Sequence, residues 1–474
     1  MVDANRSQKH AAPAGGSLRP GIMGVSALVF LVMAFQAPLT AVAGNMPLIV
    51  GLGNGAGAPL AFIVSGVVLT LFAVPFVAMS HRITNAGAFY SYISAGLGRP
   101  AGVAAGWLAV CAYNVIMLVP IAYAGYFGNQ VFRDELSIDV PWTLISAAIL
   151  IFAWLVGIRG IELNTVIMGC LLCLEVGILV LVVAGALLDP STDKSLIVSD
   201  AFSGNIGVAF TFALLSFVGF EATAVFGEEA RNPERTVGKA TYAAVWVIAI
   251  LYALVAWAVI SVYPRGGVVG TALDSPGTFL SGAAVKLLGP WAEHVINWLL
   301  LASLVAVSMA VHNMASRYLF AFGRDRLLPR ALGRTHHRYQ TPYLAATVQM
   351  LLMVGVIVAC LVTGTDPYLK LGAVAGGFAT MAIVALMATT CAAAMLFLRR
   401  AGVSVWVGLI APGIALVALL AALWLIWSNF TLLAGETVLA DVLKWSVIPL
   451  AVGGFLHGLL TTRTPGAVTS AEQT

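Results

Sequence analysis

The sequence predicts an all-α integral membrane protein with twelve transmembrane helices. Three observations carry that expectation. Of the 474 residues, 60% are apolar and only 9% charged, whereas soluble domains carry about 25% charged residues. The mean hydropathy is +0.97, and apolar runs of about 20 residues, the length that crosses a hydrocarbon core, recur along the chain. The third is a glutamate set in one of these runs, Gly219-Phe220-Glu221. A carboxylate at membrane depth is costly and marks a functional site by default.

Taken in order, the spans fall at roughly 22–52, 58–80, 100–131, 141–158, 164–188, 203–230, 237–263, 290–322, 343–363, 368–398, 402–427 and 441–462. Spans 1, 3, 8 and 10 exceed the minimum, so each has length to tilt, kink or break. Lys and Arg concentrate in loops on one side, chiefly Arg324, Arg326, Arg330, Arg334 and Arg338 after span 8. By the positive-inside rule both termini are then cytoplasmic. Residues 1–20 read as a polar tail and 463–474 as another. The apolar run after residue 20 is too long for a signal-peptide core and reads as a retained span. The stretch 264–289, with Pro264, Gly266, Gly267 and Pro276, is the one sizeable outer loop and has room for a short helix.

Five cysteines lie in these spans, and Cys170 and Cys173 form a C-x-x-C. No second Cys pair or His pair accompanies them, as a zinc site requires, so they read as buried packing thiols. No metal and no cofactor is expected. The basic loop reads as a topology signal, and nucleic-acid binding is not expected. No GxxxxGK[ST] loop is present for a nucleotide-driven pump, and no catalytic set assembles, so the chain does not read as an enzyme.

Span 1 is interrupted by Pro38 and Gly44, and span 6 by Gly219. Proline removes a backbone donor and clashes with the preceding turn, and glycine is a poor helix former. Unwound backbone at membrane depth is tolerated only where it is buried or lines a cavity. Two broken helices five spans apart fit two five-helix repeats of opposite topology, with the solute site between the breaks.

Three stretches then carry a family resemblance. Span 6 contains Ser216-Phe217-Val218-Gly219-Phe220-Glu221 and ends in Glu228-Glu229-Ala230-Arg231-Asn232-Pro233-Glu234-Arg235. The loop after span 2 reads Gly87-Ala88-Phe89-Tyr90-Ser91-Tyr92, followed by Gly96-Leu97-Gly98 and Gly106-Trp107. Span 8 leads through Asn313 and Ser316-Arg317 to Gly323-Arg324-Asp325-Arg326-Leu327-Leu328-Pro329 and Thr341-Pro342. Together these resemble the amino acid–polyamine–organocation permeases. The resemblance implies a LeuT-type fold: a ten-helix core of 5+5 inverted repeats over 21–398, then two accessory helices over 399–462. The chain departs from the family in two places. Gln36-Ala37-Pro38 stands where many members carry a Gly-Ser-Gly-like triplet, and span 5 offers Glu175 where some proton-coupled members carry lysine.

The breaks supply a physical rationale for binding a zwitterion. Free N–H groups around Leu39 to Ala43 start a helix and carry partial positive charge; carbonyls around Ser216 to Val218 end one and carry partial negative charge. The expected substrate-binding residues are Pro38, Leu39, Thr40, Ala43, Gly44, Phe217, Val218, Gly219 and Phe220, with Tyr113 and Asn114 of span 3 beside them. An ordinary kink with close helix packing is the alternative for Pro38, Thr40 and Gly44. Glu221 and Glu175 are candidate proton carriers; a hydrogen-bonded structural acid is the alternative for each. Glu228 and Glu229 border the cytoplasm and read as gate or loop contacts.

The expected activity is secondary active transport of amino acids across the plasma membrane by alternating access, driven by protons or by exchange. The partners are then a small-molecule substrate, a proton or counter-substrate, and the lipid bilayer. A polyamine or monoamine permease is the alternative within the fold. A channel or a non-transporting sensor is the more distant one, disfavoured by isolated polar residues instead of a continuous polar stripe.

Overall fold

A computed structural model describes residues 24–83, 88–160, 165–195, 200, 202–221, 223, 233–434 and 438–461. Every regular element in it is helical. Ten helical stretches are long and apolar enough to cross a membrane, and Val25–Gln36 and Ile206–Leu215 are shorter apolar helices. The two short ones fall where the sequence places spans 1 and 6.

The first interruption has a local cause. Helix α1 (Val25–Gln36) ends at Ala37, which takes a left-handed conformation with φ 46° and ψ 77°. Helix α2 (Pro38–Leu48) starts at once with Pro38 as its first residue. A residue before proline is pushed out of the right-handed helical region, and proline is tolerated at a helix start because no N–H is needed there. Gly44, expected at the break, lies inside α2 and is there for packing: a Cβ at this position would stand 2.4 Å from Tyr123. All of Pro38–Leu48 is buried. A helix apolar on all sides belongs at the centre of the protein.

After α2 the chain turns through a wide helical segment, Ile49–Asn54, and a short tight one, Gly55–Gly57, into α3 (Ala58–Ser80). The stretch expected as a loop after span 2 is instead a helix, α4 (Ala88–Leu97). It packs on α5 (Arg99–Ile116) and on a later helix. Its Gly96 permits the approach, since a Cβ there would lie 2.2 Å from the Ala393 carbonyl oxygen. Span 3 is divided at Met117 into α5 and α6 (Leu118–Leu136). Pro120 has no N–H for the carbonyl a turn earlier.

Helices α7 (Trp142–Arg159), α8 (Thr165–Leu188) and α9 (Ile206–Leu215) follow. After α9, residues 216–221 run as consecutive turns, with the Phe217, Val218 and Phe220 N–H groups each bonded three residues back. Apart from Thr223, the rest of span 6, including Glu228 and Glu229, lies outside the described residues. Next come α10 (Pro233–Ser261), α11 (Val268–Asp274) and α12 (Phe279–Leu288), the last two filling the loop expected at 264–289. The chain closes with α13 (Trp291–Arg324), α14 (Tyr343–Thr363), α15 (Ala373–Arg400), α16 (Ala411–Ala434) and α17 (Val438–Thr461).

Helix α2 is surrounded by α8, α9, α10 and α13. Helix α17 packs on α5, where Trp107 Nε1 donates to His457 Nδ1 at 3.1 Å. The cysteine expectation fails in part. Cys360 and Cys391 are buried, but Cys170 and Cys173 are exposed. They occupy the face of α8 turned away from the bundle, a direction that composition alone does not reveal.

Candidate functional site

The two interruptions meet. A Cβ on Gly219, whose φ is 111°, would lie 2.6 Å from Phe35 Cδ1 on α1, so glycine is required there for both conformation and space. Two buried hydrogen bonds join the breaks directly. Gln36 Nε2 donates to the Phe217 carbonyl at 2.8 Å, and Asn45 Nδ2 donates to Ser216 Oγ at 2.9 Å. Tyr123 of α6 adds a third element, its hydroxyl donating to Asn45 Oδ1 at 3.0 Å.

A cavity of ≈ 70 Å³ opens beside these contacts. Polar groups reach its wall from Gln36, Thr40, Asn45, Tyr113 and Ser216, while Val119, Val307, Val311 and Met314 give it an apolar side. A few placed polar groups in a mostly apolar concavity is the usual character of a small-molecule site.

Of the sequence-predicted residues, Thr40, Tyr113 and Val218 line this cavity. Thr40 bonds across to α13, its Oγ1 donating to Ser303 Oγ at 2.9 Å. The others sit behind the wall. Pro38 opens α2, and Leu39 and Ala43 are buried in the core around it. The Gly44 carbonyl accepts from the Tyr368 hydroxyl at 2.6 Å. Phe217 packs edge-on against Tyr252, and Phe220 against Phe72. Asn114 turns back on its own helix, Nδ2 donating to the Val110 carbonyl at 2.8 Å.

Both buried acids have specific partners. Glu175 is 3% exposed, and its Oε2 accepts from the Leu39 N–H at 3.2 Å. The start of α2 thus already carries a carboxylate, the charge its dipole favours. Glu221 closes the second break on itself: Oε2 accepts from the Gly219 N–H at 2.9 Å and Oε1 from the Tyr113 hydroxyl at 2.6 Å. Tyr113 stacks on Tyr318 of α13, with ring centres 4.7 Å apart.

Gln36 and Asn45 are the site residues missed in the sequence. Gln36 stood in view as the replacement for the glycine-rich triplet, and that departure was the available signal. Asn45 carried a weaker one, a lone amide in the apolar run after Gly44.

The sequence pattern of the amino acid permease family matches residues 23–455. The chain belongs to that family. Among its relatives is the branched-chain amino acid permease BcaP of Lactococcus lactis, 24% identical over 306 residues, covering 60% of this chain and 64% of the relative. BcaP of Bacillus subtilis is 22% identical over 309 residues, covering 61% and 65%. The match to this family member therefore spans a little under two thirds of the length of either relative. The methylthioribose transporter of Bacillus subtilis is 23% identical over 431 residues, covering 87% of each chain. These relatives are named as permeases and transporters, none as an enzyme.

Proposed function

We propose that the protein is a secondary active transporter that carries an amino acid across the plasma membrane by alternating access. In this reading the helices make twelve crossings, the first ten forming a LeuT-type 5+5 inverted repeat, with both termini cytoplasmic. The observation that carries it is the cavity between two broken helices that are tied to each other by Gln36–Phe217 and Asn45–Ser216. Irregular backbone at membrane depth belongs where a solute binds, and membership of the amino acid permease family supports the substrate class. Apolar walls suit an aliphatic side chain, as the two branched-chain relatives' names also do.

Coupling is to protons or by exchange, with Glu221 and Glu175 the candidate proton carriers. Both are buried carboxyl groups next to a break. One observation favours the amine-carrier alternative. Glu175 occupies the helix start that a substrate carboxylate would otherwise use, and a substrate without a carboxylate has no need of it.

Uptake into proteoliposomes tests both readings. Labelled leucine and its decarboxylated amine are supplied under an imposed proton gradient, a sodium gradient, or internal unlabelled substrate. Accumulation of leucine driven by protons or by exchange is expected. Uptake of the amine alone would replace the amino-acid reading, and dependence on sodium with indifference to pH would remove proton coupling.

A further inference from the structure

Resting on the transport reading above, we infer that the Gln36 side-chain oxygen is the acceptor for the substrate's ammonium group and sets the preference for aliphatic primary amines. Two backbone groups assigned to the substrate by the helix-break argument are already engaged by side chains. The Leu39 N–H is on Glu175, and the Phe217 carbonyl accepts from Gln36 Nε2 at 2.8 Å. In this chain recognition therefore passes from the peptide dipoles to a side-chain amide.

The orientation of that amide is fixed by chemistry. A carbonyl accepts only from a donor, so the nitrogen must face Phe217 and the oxygen must face away. Gln36 is 6% exposed and lines the cavity, and its Oε1 has no partner among the described residues. The neighbouring polar groups on the wall are committed. Asn45 holds Ser216 and Tyr123, Thr40 holds Ser303, and Tyr113 holds Glu221. A buried acceptor left unpaired is unfavourable, so a ligand that donates to it is favoured over one that does not.

An amide oxygen discriminates by charge and polarity. It welcomes an ammonium group, tolerates a hydroxyl, and repels a carboxylate. Val119, Val307, Val311 and Met314 opposite supply the surface for an aliphatic body. The substrate class that fits is a primary amine bearing a short aliphatic chain, whether or not it also carries a carboxylate.

The test uses the full chain in nanodiscs, with binding read by calorimetry for three ligands: leucine, 3-methylbutylamine, and the hydroxy acid in which the amino group of leucine is replaced by hydroxyl. The wild type is expected to bind at least one ammonium ligand about tenfold more tightly than the hydroxy acid, as a hydrogen bond to a charged donor implies. Gln36→Leu should bring the affinities for the ammonium ligands and the hydroxy acid close together, whatever loss common to all ligands follows from cutting the tie to Phe217. Gln36→Glu keeps an acceptor oxygen and should retain the preference, so the test survives if the leucine variant does not fold. Unchanged affinity in Gln36→Leu, or an equal loss for every ligand bound, would overturn the inference, the second result reducing Gln36 to a tie between the breaks. Loss of the preference in Gln36→Glu would also count against it. A wild type that binds none of the three sinks the transport reading, and this inference with it.

Discussion

The Tyr113 hydroxyl and the Glu221 carboxylate are joined by a 2.6 Å hydrogen bond that ties α5 to the interruption after α9. Tyr113 is 2% exposed and Glu221 likewise. The bond is therefore shielded from solvent at both ends.

Tyr113→Phe removes the donor and leaves a buried carboxyl oxygen without it. A loss of about 1–3 kcal/mol in stability is expected, together with slower substrate uptake. Thermal unfolding in detergent and initial uptake rates measure the two. An unaltered melting temperature with normal uptake would show that the bond holds nothing together.

Gly219→Ala meets two obstacles, the positive φ of 111° and Phe35 at 2.6 Å from the new Cβ. A left-handed alanine costs about 1–2 kcal/mol on its own, and moving Phe35 shifts α1 against the cavity. Reduced stability and abolished uptake are expected. Wild-type behaviour in this variant would mean that the second interruption has a different backbone from the one described.

Glu175→Ala vacates the start of α2. The Leu39 N–H loses its acceptor, and the partial positive charge of the helix start becomes available to an outside anion. The variant is expected to be less stable by about 1–3 kcal/mol and to shift its ligand preference from the amine toward the amino acid. Competition between leucine and 3-methylbutylamine reads the shift. A preference that stays put would mean that Glu175 shields no substrate-accessible group.

In the loops, Arg265 Nε donates to Asp193 Oδ2 at 2.8 Å and Arg265 Nη1 reaches Asp200 Oδ2 at 3.5 Å. The Asp193 carboxyl is held below its ordinary value by hydrogen bonds from the Ser195 hydroxyl and N–H, and then by Arg265. A lowered carboxylate pKa stabilises the fold above the unfolded value and loses that contribution as pH falls through the folded one. The tie is therefore constant from neutral pH down to about 4, the ordinary aspartate value, and is lost only below it. Trp257 and Arg265 line the same small hollow, so tryptophan emission reports the change. Wild type should show an acid transition that Asp193→Asn lacks. Identical titrations of the two would exclude the Asp193–Arg265 tie as its source.

How much was legible beforehand varies from residue to residue. Pro38 announced the first interruption because a missing N–H is a property of the residue itself, and Gly219 announced the second because only glycine tolerates its φ. Gly44 carries the same letter for another reason, close packing on Tyr123, and sequence has no means of telling the two uses apart. Cys170 and Cys173 were misassigned because an apolar helix inside a membrane is hydrophobic on both its lipid and its protein sides. The direction of a side chain is then invisible to periodicity. Helix α4 was read as a loop between two spans, whereas it is a helix whose one glycine, Gly96, serves close contact with Ala393.

By itself the sequence determined that this chain is helical, apolar enough for a bilayer, interrupted near Pro38 and Gly219, and provided with buried acids at 175 and 221. Each of these follows from the chemistry of single residues or short runs. Only the tertiary structure decided which groups those interruptions face. Leu39 meets Glu175 across 136 positions and Gln36 meets Phe217 across 181, and the partner of a buried polar group is chosen by how the helices pack.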